Sequence, residues 1–267
     1  MPRICLNMIV KNEAPVIERC LASVRPWNDH WVIVDTGSTD GTQERIRNFM
    51  KDIPGALHER PWRDFAFNRN QALDLARGES DYVFFIDADE TLEAPAGFAW
   101  PPLSADGYQL QCHSDGWNYF RNTLVAARLP WRWQGVLHEY LTCDTPHAWH
   151  NLRGPVIRVS RDGARARSGD TYLRDIEVLE RALLDEPGNT RYRFYLAQSC
   201  RDAGRAAQAR EQYAKRATMG GWEEECWFSL YQVALLDEQL GADPGTVRGG
   251  YLAAYGLRPT RPGPLCA

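Results

Sequence analysis

The 267-residue sequence has no run of about 18 consecutive apolar residues, so no membrane span is predicted. Its first residues contain only a short apolar stretch, broken by Asn7, and no small-residue cleavage site. They therefore predict a first strand and not a signal peptide. The seven cysteines are odd in number, widely scattered and form no Cys-x-x-Cys pair. This pattern excludes a zinc ribbon and favours reduced thiols in a cytoplasmic protein.

Lysine is also scarce, and arginine supplies nearly all of the positive charge. The net charge is −4, with 44% hydrophobic and 25% charged residues, which excludes a disordered or low-complexity chain. Residues 151–169 hold five arginines against one aspartate, whereas residues 1–150 hold 14 basic and 20 acidic groups. The positive stretch indicates either an anion-binding segment or a solvated loop. The negative net charge argues against an extended nucleic-acid surface.

The apolar pattern changes its period along the chain. Short β-rich runs at 4–10, 31–34 and 82–86 alternate with helical patterns at 13–24, 43–50 and 67–76. This alternation predicts a parallel sheet with right-handed crossovers. Helical periodicity then predominates, with predicted helices at 172–183, 192–203, 205–217 and 222–240. Ala197, Gly204, Ala209 and Tyr213 fall where a tetratricopeptide unit has small residues and an aromatic knob.

Carboxylates follow two of the predicted strands. Asp87 and Asp89 come directly after the apolar run at 82–86, and Asp35 ends the run at 31–34 before a turn of small residues. Ligands of parallel sheets gather at the carboxyl ends of the strands. Two carboxylates at such an end can bind Mg²⁺ or Mn²⁺ together with phosphate oxygens and water. The alternative is a polar turn that happens to contain two aspartates.

Four segments in order resemble the family 2 glycosyltransferases of GT-A fold. They are residues 5–13 (CLNMIVKNE), 34–42 (VDTGSTDGT), 65–70 (FAFNRN) and 85–90 (FIDADE). Residues 133–141 (WQGVLHEYL) and segments beginning at Arg191 and Gly220 look like the subgroup with a C-terminal tetratricopeptide region. The resemblance implies an α/β GT-A domain, Rossmann-like with a mainly parallel sheet, at residues 1–168. A helical tetratricopeptide-like region, packed on that domain, is expected at residues 169–267.

The same resemblance implies roles for the matching residues on the nucleotide side. Asp35 corresponds to the aspartate that contacts the base, usually uracil. Asn12 and Glu13 lie in the segment beside that pocket, and Arg69 is expected near the base or the diphosphate. We therefore expect these residues to bind a nucleotide sugar, with a UDP-sugar as the donor.

Metal binding is implied by the match to the family's DxD motif. Asp89 is expected to bind Mn²⁺ or Mg²⁺ directly, with Asp87 nearer the ribose. The family's usual Glu-Asp pair is absent from its expected place, where His138 and Glu139 stand instead. Adjacent residues on an extended segment point in opposite directions. We interpret Glu139 as the catalytic base and His138 as a third metal ligand; the alternatives are a structural ion pair and a core histidine.

Several further residues are candidates for the same site. Trp131 and Trp133 are predicted to form the wall for the acceptor or the donor sugar, because aromatic faces stack on sugar rings. Arg165 and Arg167 occur where the family has a mobile segment that closes over the diphosphate, and arginine suits phosphate as a fork-shaped donor. Two lesser candidates are Asp115, as an alternative base, and the pair His147 and His150, as surface residues or a second metal site.

Together these observations predict a metal-dependent, inverting glycosyltransferase that uses a nucleotide sugar. One alternative is a catalytically inactive binding module, in which the helical repeat recruits a protein. A nucleotidyltransferase would need a Gly-rich, Arg-containing loop after the first strand, and residues 11–15 offer none. The acceptor stays open among a protein or peptide, a glycan and a modified nucleic-acid base.

Overall fold

The computed structural model describes residues 2–266 and divides the chain into two compact units. Among these residues, the first unit comprises those up to Gly135 together with 139–169, and the second comprises residues 136–138 and those from Asp170 onward. No helix among residues 2–266 is both long and apolar enough to cross a membrane. All seven cysteines lie in this described part and are unpaired.

The first unit is built on a mixed eight-stranded sheet with helices on both faces. Its strand order is β3-β2-β1-β4-β7-β6-β10-β5. The strands of this sheet are β1 (Ile4–Val10), β2 (His30–Asp35), β3 (Gly55–Glu59), β4 (Tyr82–Phe85), β5 (Glu90–Glu93), β6 (Gly107–Ser114), β7 (Trp117–Ala126) and β10 (Trp149–Val159). A separate two-stranded sheet contains β8 (Arg132–Gln134) and β9 (Tyr140–Thr142). The helices are α1 (Ile17–Val24), α2 (Thr42–Met50), α3 (Phe65–Ala76) and the short α4 (Ala164–Arg167).

The first four strands in this order, β3-β2-β1-β4, are parallel to one another, as the alternating pattern predicts. Strands β1, β2 and β4 are largely buried on both faces because each face is covered by helices, whereas the edge strand β3 is partly exposed. Ile4, Leu6 and Met8 of β1 belong to one core, which includes buried residues of α1 and α2. Cys5 belongs to the core on the opposite face, with Leu73 and Ala76 of α3.

The second half of the sheet departs from a purely parallel arrangement. Strand β7 is antiparallel to both β4 and β6, and β5 is antiparallel to β10. The pair β6 and β10 is again parallel. Residues 149–159, which include part of the arginine-rich stretch, are therefore strand. The α/β fold is confirmed, and its parallel character is confined mainly to β1–β4.

The second unit contains five consecutive helices in which each packs on the next. They are α5 (Thr171–Asp185), α6 (Thr190–Asp202), α7 (Ala206–Ala217), α8 (Glu223–Gln239) and α9 (Pro244–Leu257). Ala197, Ala209 and Tyr213 are fully buried, and Gly204 has a φ of 74° at the turn between α6 and α7. The predicted small residues and aromatic knob are thus at the helix contacts, and the predicted helical region is confirmed.

Candidate active site

The candidate site lies where three adjacent parallel strands end. Strand β1 lies between β2 and β4 in the sheet. Asn12 and Glu13 follow β1, Asp35 is the last residue of β2, and Asp87 and Asp89 follow β4. Because the three strands run in one direction, these polar residues meet at a single edge of the sheet, as predicted.

Asp35 is completely buried at the end of β2. Its Oδ1 atom accepts hydrogen bonds from the backbone N–H groups of Gly37 (2.9 Å) and Ser38 (2.8 Å) and from Gln43 Nε2 (2.8 Å). Its Oδ2 atom is buried and has no hydrogen-bond partner among residues 2–266. An unpaired buried polar atom costs about 1–3 kcal/mol, so a ligand N–H that bonds to this oxygen would recover that free energy.

Asn12 holds the turn after β1 against the turn after β2. It has a φ of 57°, a left-handed conformation that asparagine tolerates better than most residues. Its backbone N–H donates to Ser38 Oγ (2.8 Å), and its Oδ1 accepts from the Thr39 N–H (2.8 Å). Glu13 continues this link by donating its N–H to Thr42 Oγ1 (2.8 Å). The two loops beside the Asp35 carboxylate are therefore fixed by side-chain hydrogen bonds.

Arg69 joins two of the predicted site carboxylates. Helix α3 begins at the cap residue Asp64, whose side chain accepts from the Phe67 N–H (2.7 Å). From this helix, Arg69 donates through Nη2 to Asp87 Oδ1 (2.6 Å) and through Nε to Glu139 Oε1 (2.5 Å). Burial opposes ionisation of Asp87, but the positive charges of Arg69 and Arg121 outweigh it and hold the pKa of Asp87 below its usual range.

Asp89 is bonded to a segment from the end of the α/β unit, residues 162–167, which we call the strap. The Gly163 N–H donates to Asp89 Oδ2 (3.2 Å), and the Ala164 N–H donates to Glu13 Oε2 (3.0 Å). Burial, followed by repulsion from Asp87, raises the pKa of Asp89. Burial also raises the pKa of Glu13 to about 7, with further contributions from the charges of Asp89 and Asp40.

Arginines fix the strap at both of its ends. Arg19 makes a two-pronged ion pair with Asp162, with both N–O distances at 2.8 Å. Arg167 donates to the carbonyl oxygens of Asp162 (2.5 Å) and Asn12 (3.1 Å). The Arg165 guanidinium lies 5.1 Å from the centre of the Phe65 ring. The structure thus brings Arg165 and Arg167 to the same edge of the sheet as Asp89, while their phosphate-binding role stays a prediction.

The oxygen ligands of this edge fit a divalent cation that is shared with a substrate. No group of three or more His, Cys, Asp or Glu side chains placed to hold a metal occurs in the described part of the chain. Mg²⁺, however, commonly takes one or two protein carboxylates and completes its shell with substrate phosphates and water. Asp89 is suited to this role because a nearby cation would offset the repulsion from Asp87.

The predicted third metal ligand, His138, has a different environment. Residues 136–138 group with the second unit, in which the His138 ring stacks on Tyr195 at a centroid distance of 3.8 Å. Its carbonyl oxygen accepts from Arg191 Nη2 (2.7 Å). His138 has a φ of 51°, so the extended backbone from which we argued its orientation is not present. Its role as a metal ligand stays a prediction.

The two predicted wall tryptophans differ in burial. Trp131 is only 1% exposed and donates from Nε1 to the Ala126 carbonyl (3.1 Å), so its expected place in the wall of a binding site is wrong. Its ring is enclosed by the core beside α3. Trp133 is partly buried, and the Arg69 guanidinium lies over its ring, 5.0 Å from the ring centre. The Asn70 side chain fixes the Trp133 backbone: its Oδ1 accepts from the Trp133 N–H (2.8 Å), and its Nδ2 donates to the Trp133 carbonyl (2.9 Å).

The lesser candidates lie elsewhere in the first unit. Asp115 is 73% exposed in the turn between β6 and β7, with Arg161 Nε 3.8 Å from its carboxylate. His147 precedes β10 and contacts the buried Trp131 at a centroid distance of 4.7 Å, and His150 is in β10. Of the two histidines, only His150 belongs to a regular element, and their role as a second metal site stays a prediction.

Two residues of this edge were not predicted from the sequence. Glu90 accepts two bonds from Arg121 and one from the Asp87 N–H. The position of Glu90 directly after the Asp-Ala-Asp turn is a signal that the sequence contains. Arg121 has no such signal, because only the pairing of β7 with β4 brings it near the turn.

Comparison with known families agrees with the motifs. Residues 5–95 match the family model described as glycosyl transferase family 2, so the predicted resemblance is confirmed for this segment. The α/β unit that contains it has the architecture expected of the GT-A fold.

Known proteins with similar sequences match over about a third of this chain. A TPR repeat-containing protein of Synechococcus elongatus is 39% identical over 93 residues, which are 34% of this chain and 22% of that protein. The prophage-derived glycosyltransferase SunS of Bacillus subtilis is 34% identical over 88 residues, 33% of this chain and 20% of SunS. The matched part of the chain thus spans about a fifth of the length of these relatives.

Similarity to a solved structure extends over most of the chain. The crystal structure of S. aureus TarS 1–349 in complex with UDP-GlcNAc covers 95% of this chain and 89% of that chain, with a TM-score of 0.48 and 12% identity.

Proposed function

We propose that this chain is a glycosyltransferase that uses Mn²⁺ or Mg²⁺ to transfer a sugar from a UDP-sugar to an acceptor, with inversion at the transferred carbon. The observation that supports this most strongly is the convergence at one sheet edge. A buried aspartate with a free oxygen, the carboxylates of Asp87 and Asp89, and an arginine that links Asp87 to Glu139 all meet there. A chain without a catalytic site has no need for this arrangement.

Asp35 provides the basis for choosing uridine. Its Oδ2 atom lacks a partner, and the N3–H group of uracil is a donor that cytosine does not have. Asn12 and Glu13 hold the adjacent loops in place for the nucleotide. In this proposal, Asp35 recognises the base and the strap arginines Arg165 and Arg167 contribute positive charge toward the phosphates.

Asp89, with Asp87 beside it, would hold the divalent cation, which when bound supplies Lewis-acid stabilisation of the leaving diphosphate. Arg69 keeps Asp87 ionised and oriented through a 2.6 Å hydrogen bond. The Trp133 ring packs against the Arg69 guanidinium and limits its movement.

Glu139 is our candidate for the base. An acceptor X–H group loses its proton to the carboxylate as X bonds to the transferred carbon, and the bond from that carbon to the diphosphate oxygen breaks. Arg69 fixes one oxygen of Glu139, so the other oxygen is the one available to the acceptor. The acceptor itself can be a protein or peptide, a glycan or a modified nucleic-acid base.

The test is metal-dependent release of UDP. The chain is incubated with several UDP-sugars and Mn²⁺ or Mg²⁺, with and without mixed acceptors, and UDP release and product mass are measured. Chelation and Asp89→Ala should both abolish release. Asp52→Asn, which changes a 63%-exposed aspartate paired with Arg25, should leave it unchanged. Absence of UDP binding and turnover under all conditions would instead favour an inactive binding module.

A further inference from the structure

The turn between β4 and β5 is closed by a reciprocal pair of hydrogen bonds. The Asp87 N–H donates to Glu90 Oε2 (3.1 Å), and the Glu90 N–H donates to the Asp87 carbonyl (3.0 Å). Asp87 and Asp89 are therefore presented by a turn whose shape depends on the side chain of Glu90. A third contact, from Cys20 Sγ to the same Asp87 carbonyl (3.4 Å), holds the turn against α1.

The Glu90 carboxylate is in turn fixed by Arg121. Arg121 donates through Nη1 to Oε1 (2.8 Å) and through Nη2 to Oε2 (2.5 Å). The Glu90 side chain is only 3% exposed and that of Arg121 is 30% exposed. A two-pronged arginine–carboxylate pair restricts both rotation and translation of the carboxylate. This restriction keeps Glu90 Oε2 within hydrogen-bond distance of the Asp87 N–H.

Arg121 reaches this position from the opposite side of the turn to Arg69. It belongs to β7, which runs antiparallel to β4 with Phe84 opposite Leu124. Strand β7 extends beyond its pairing with Phe84 and runs alongside the turn between β4 and β5. This places Arg121 beside Glu90. The turn thus lies between two arginines, one that binds the Asp87 side chain and one that binds its backbone partner, Glu90.

We propose that Glu90 and Arg121 are a positioning pair, which holds the Asp87–Asp89 turn in the geometry that binds the metal and diphosphate of the donor. Neither residue touches the substrate; each acts through the Asp87 backbone. The significance of this pair for catalysis rests on the proposed function, whereas its effect on the turn does not.

The molecule contains a matched pair for comparison. Arg158 of β10 and Glu93 of β5 also form a two-pronged ion pair, with distances of 3.0 and 2.8 Å. Their side chains are 50% and 52% exposed, and Glu93 lies three residues beyond Glu90 on the same strand. The Glu93→Gln/Arg158→Met variant therefore removes a two-pronged Arg–Glu pair from the same sheet without removing a hydrogen bond of the Asp87–Asp89 turn.

The test compares Glu90→Gln, Arg121→Met and the double variant with Glu93→Gln/Arg158→Met. Each single variant leaves an unpaired group and is expected to lower the melting temperature, whereas the double variant removes both charges and should recover much of it. Three quantities are measured: melting temperature, hydrogen exchange of the Asp87 and Glu90 amides, and the affinity for UDP with and without Mn²⁺.

In the double variant we expect exchange at Asp87 about tenfold faster, and the Mn²⁺-dependent affinity for UDP about tenfold weaker. We expect the metal-free affinity to be unchanged. The Glu93→Gln/Arg158→Met variant should resemble the wild type in all three measurements. A double variant with wild-type exchange at Asp87 would overturn the proposal. If the wild type does not bind UDP, the proposed function fails, and exchange at Asp87 still decides whether the pair positions the turn.

Discussion

The backbone N–H of Gly163 donates to Asp89 Oδ2 over 3.2 Å, so the strap is bonded to the carboxylate for which we propose metal binding. A Cβ atom at residue 163 would lie 2.9 Å from that same oxygen. The φ of Gly163 is −69°, which any residue can adopt. Glycine is therefore favoured here by the close approach of the Asp89 carboxylate and not by the backbone conformation.

Gly163→Ala should displace the strap from Asp89, because the added methyl group and the carboxylate cannot occupy the observed positions together. We expect trypsin to cleave after Arg165 and Arg167 about tenfold faster, as measured by mass spectrometry over time. Gly188→Ala is the control, since no atom lies within 4 Å of its Cβ position. Equal cleavage rates in the wild type and Gly163→Ala would show that the contact does not hold the strap.

Glu13 should make stability depend on pH. Its pKa is about 7 in the folded chain, against an ordinary value of 4.5. Between these values the folded state holds a proton that the unfolded state has lost, so stability falls as pH rises through this interval. Glu13→Gln does not titrate there. Its melting temperature relative to the wild type should therefore increase from pH 5 to pH 8.

The expected size of this effect is about 1 kcal/mol, since Glu13 is only partly buried and solvent screens its charge. This corresponds to a change of about 2–4 °C in melting temperature, measured in EDTA. Glu18→Gln, which changes an exposed glutamate paired with Arg45, is the control for the loss of one carboxylate in this part of the chain. A difference in melting temperature between Glu13→Gln and the wild type that stays constant from pH 5 to pH 8 would contradict the raised pKa of Glu13.

Asp35→Asn tests recognition of the base. Asparagine keeps an oxygen for the Gly37 and Ser38 N–H groups but replaces the unpartnered oxygen with an NH₂ group, which cannot accept from uracil N3–H. We expect UDP affinity in Mn²⁺ to fall about 10- to 100-fold, corresponding to about 1.5–3 kcal/mol for a bond to a charged group. Calorimetry with UDP, CDP, GDP and ADP measures this. Equal affinity of the wild type for all four nucleotides would refute the choice of uridine.

Glu139→Gln distinguishes a role of Glu139 as the catalytic base from a role only as the ion-pair partner of Arg69. An amide keeps the size of the side chain and can still accept from Arg69, but it cannot take a proton at neutral pH. Turnover should fall by about 10²–10⁴ while UDP affinity stays near that of the wild type. If turnover is retained, Glu139 serves only to hold Arg69, and Asp115→Asn becomes the next variant to measure.

Much of the fold follows from local sequence. The run at 82–86 is apolar throughout because β4 is buried on both faces, and the structure places the strand at Tyr82–Phe85. Helices α5 to α8 begin and end within about two residues of the predicted positions. Asp35 and Asp87 were predicted at a common edge because parallel strands align their carboxyl ends, and this required no knowledge of distant contacts.

Other features depend on contacts between residues that are far apart in sequence. Trp131 and Trp133 have the same local pattern, but only the first is enclosed by the core beside α3, so burial separates two residues that the sequence treats alike. The left-handed backbone of His138 likewise has no signal in its neighbours. Strand β7 was not among the strands predicted from the sequence, and its pairing with β4 brings Arg121 to Glu90.

The sequence by itself therefore determined strands β1, β2 and β4, helices α1–α3 and α5–α8, and the carboxylates at the strand ends, because period, burial and turn chemistry are properties of neighbouring residues. Only the tertiary structure decided the partners of those carboxylates: Arg69 between Asp87 and Glu139, Gly163 on Asp89, and Arg121 behind Glu90. Hydrogen bonds and ion pairs act over about 3 Å. Which residues come within that distance is set by the packing of the whole unit and not by the chain on either side.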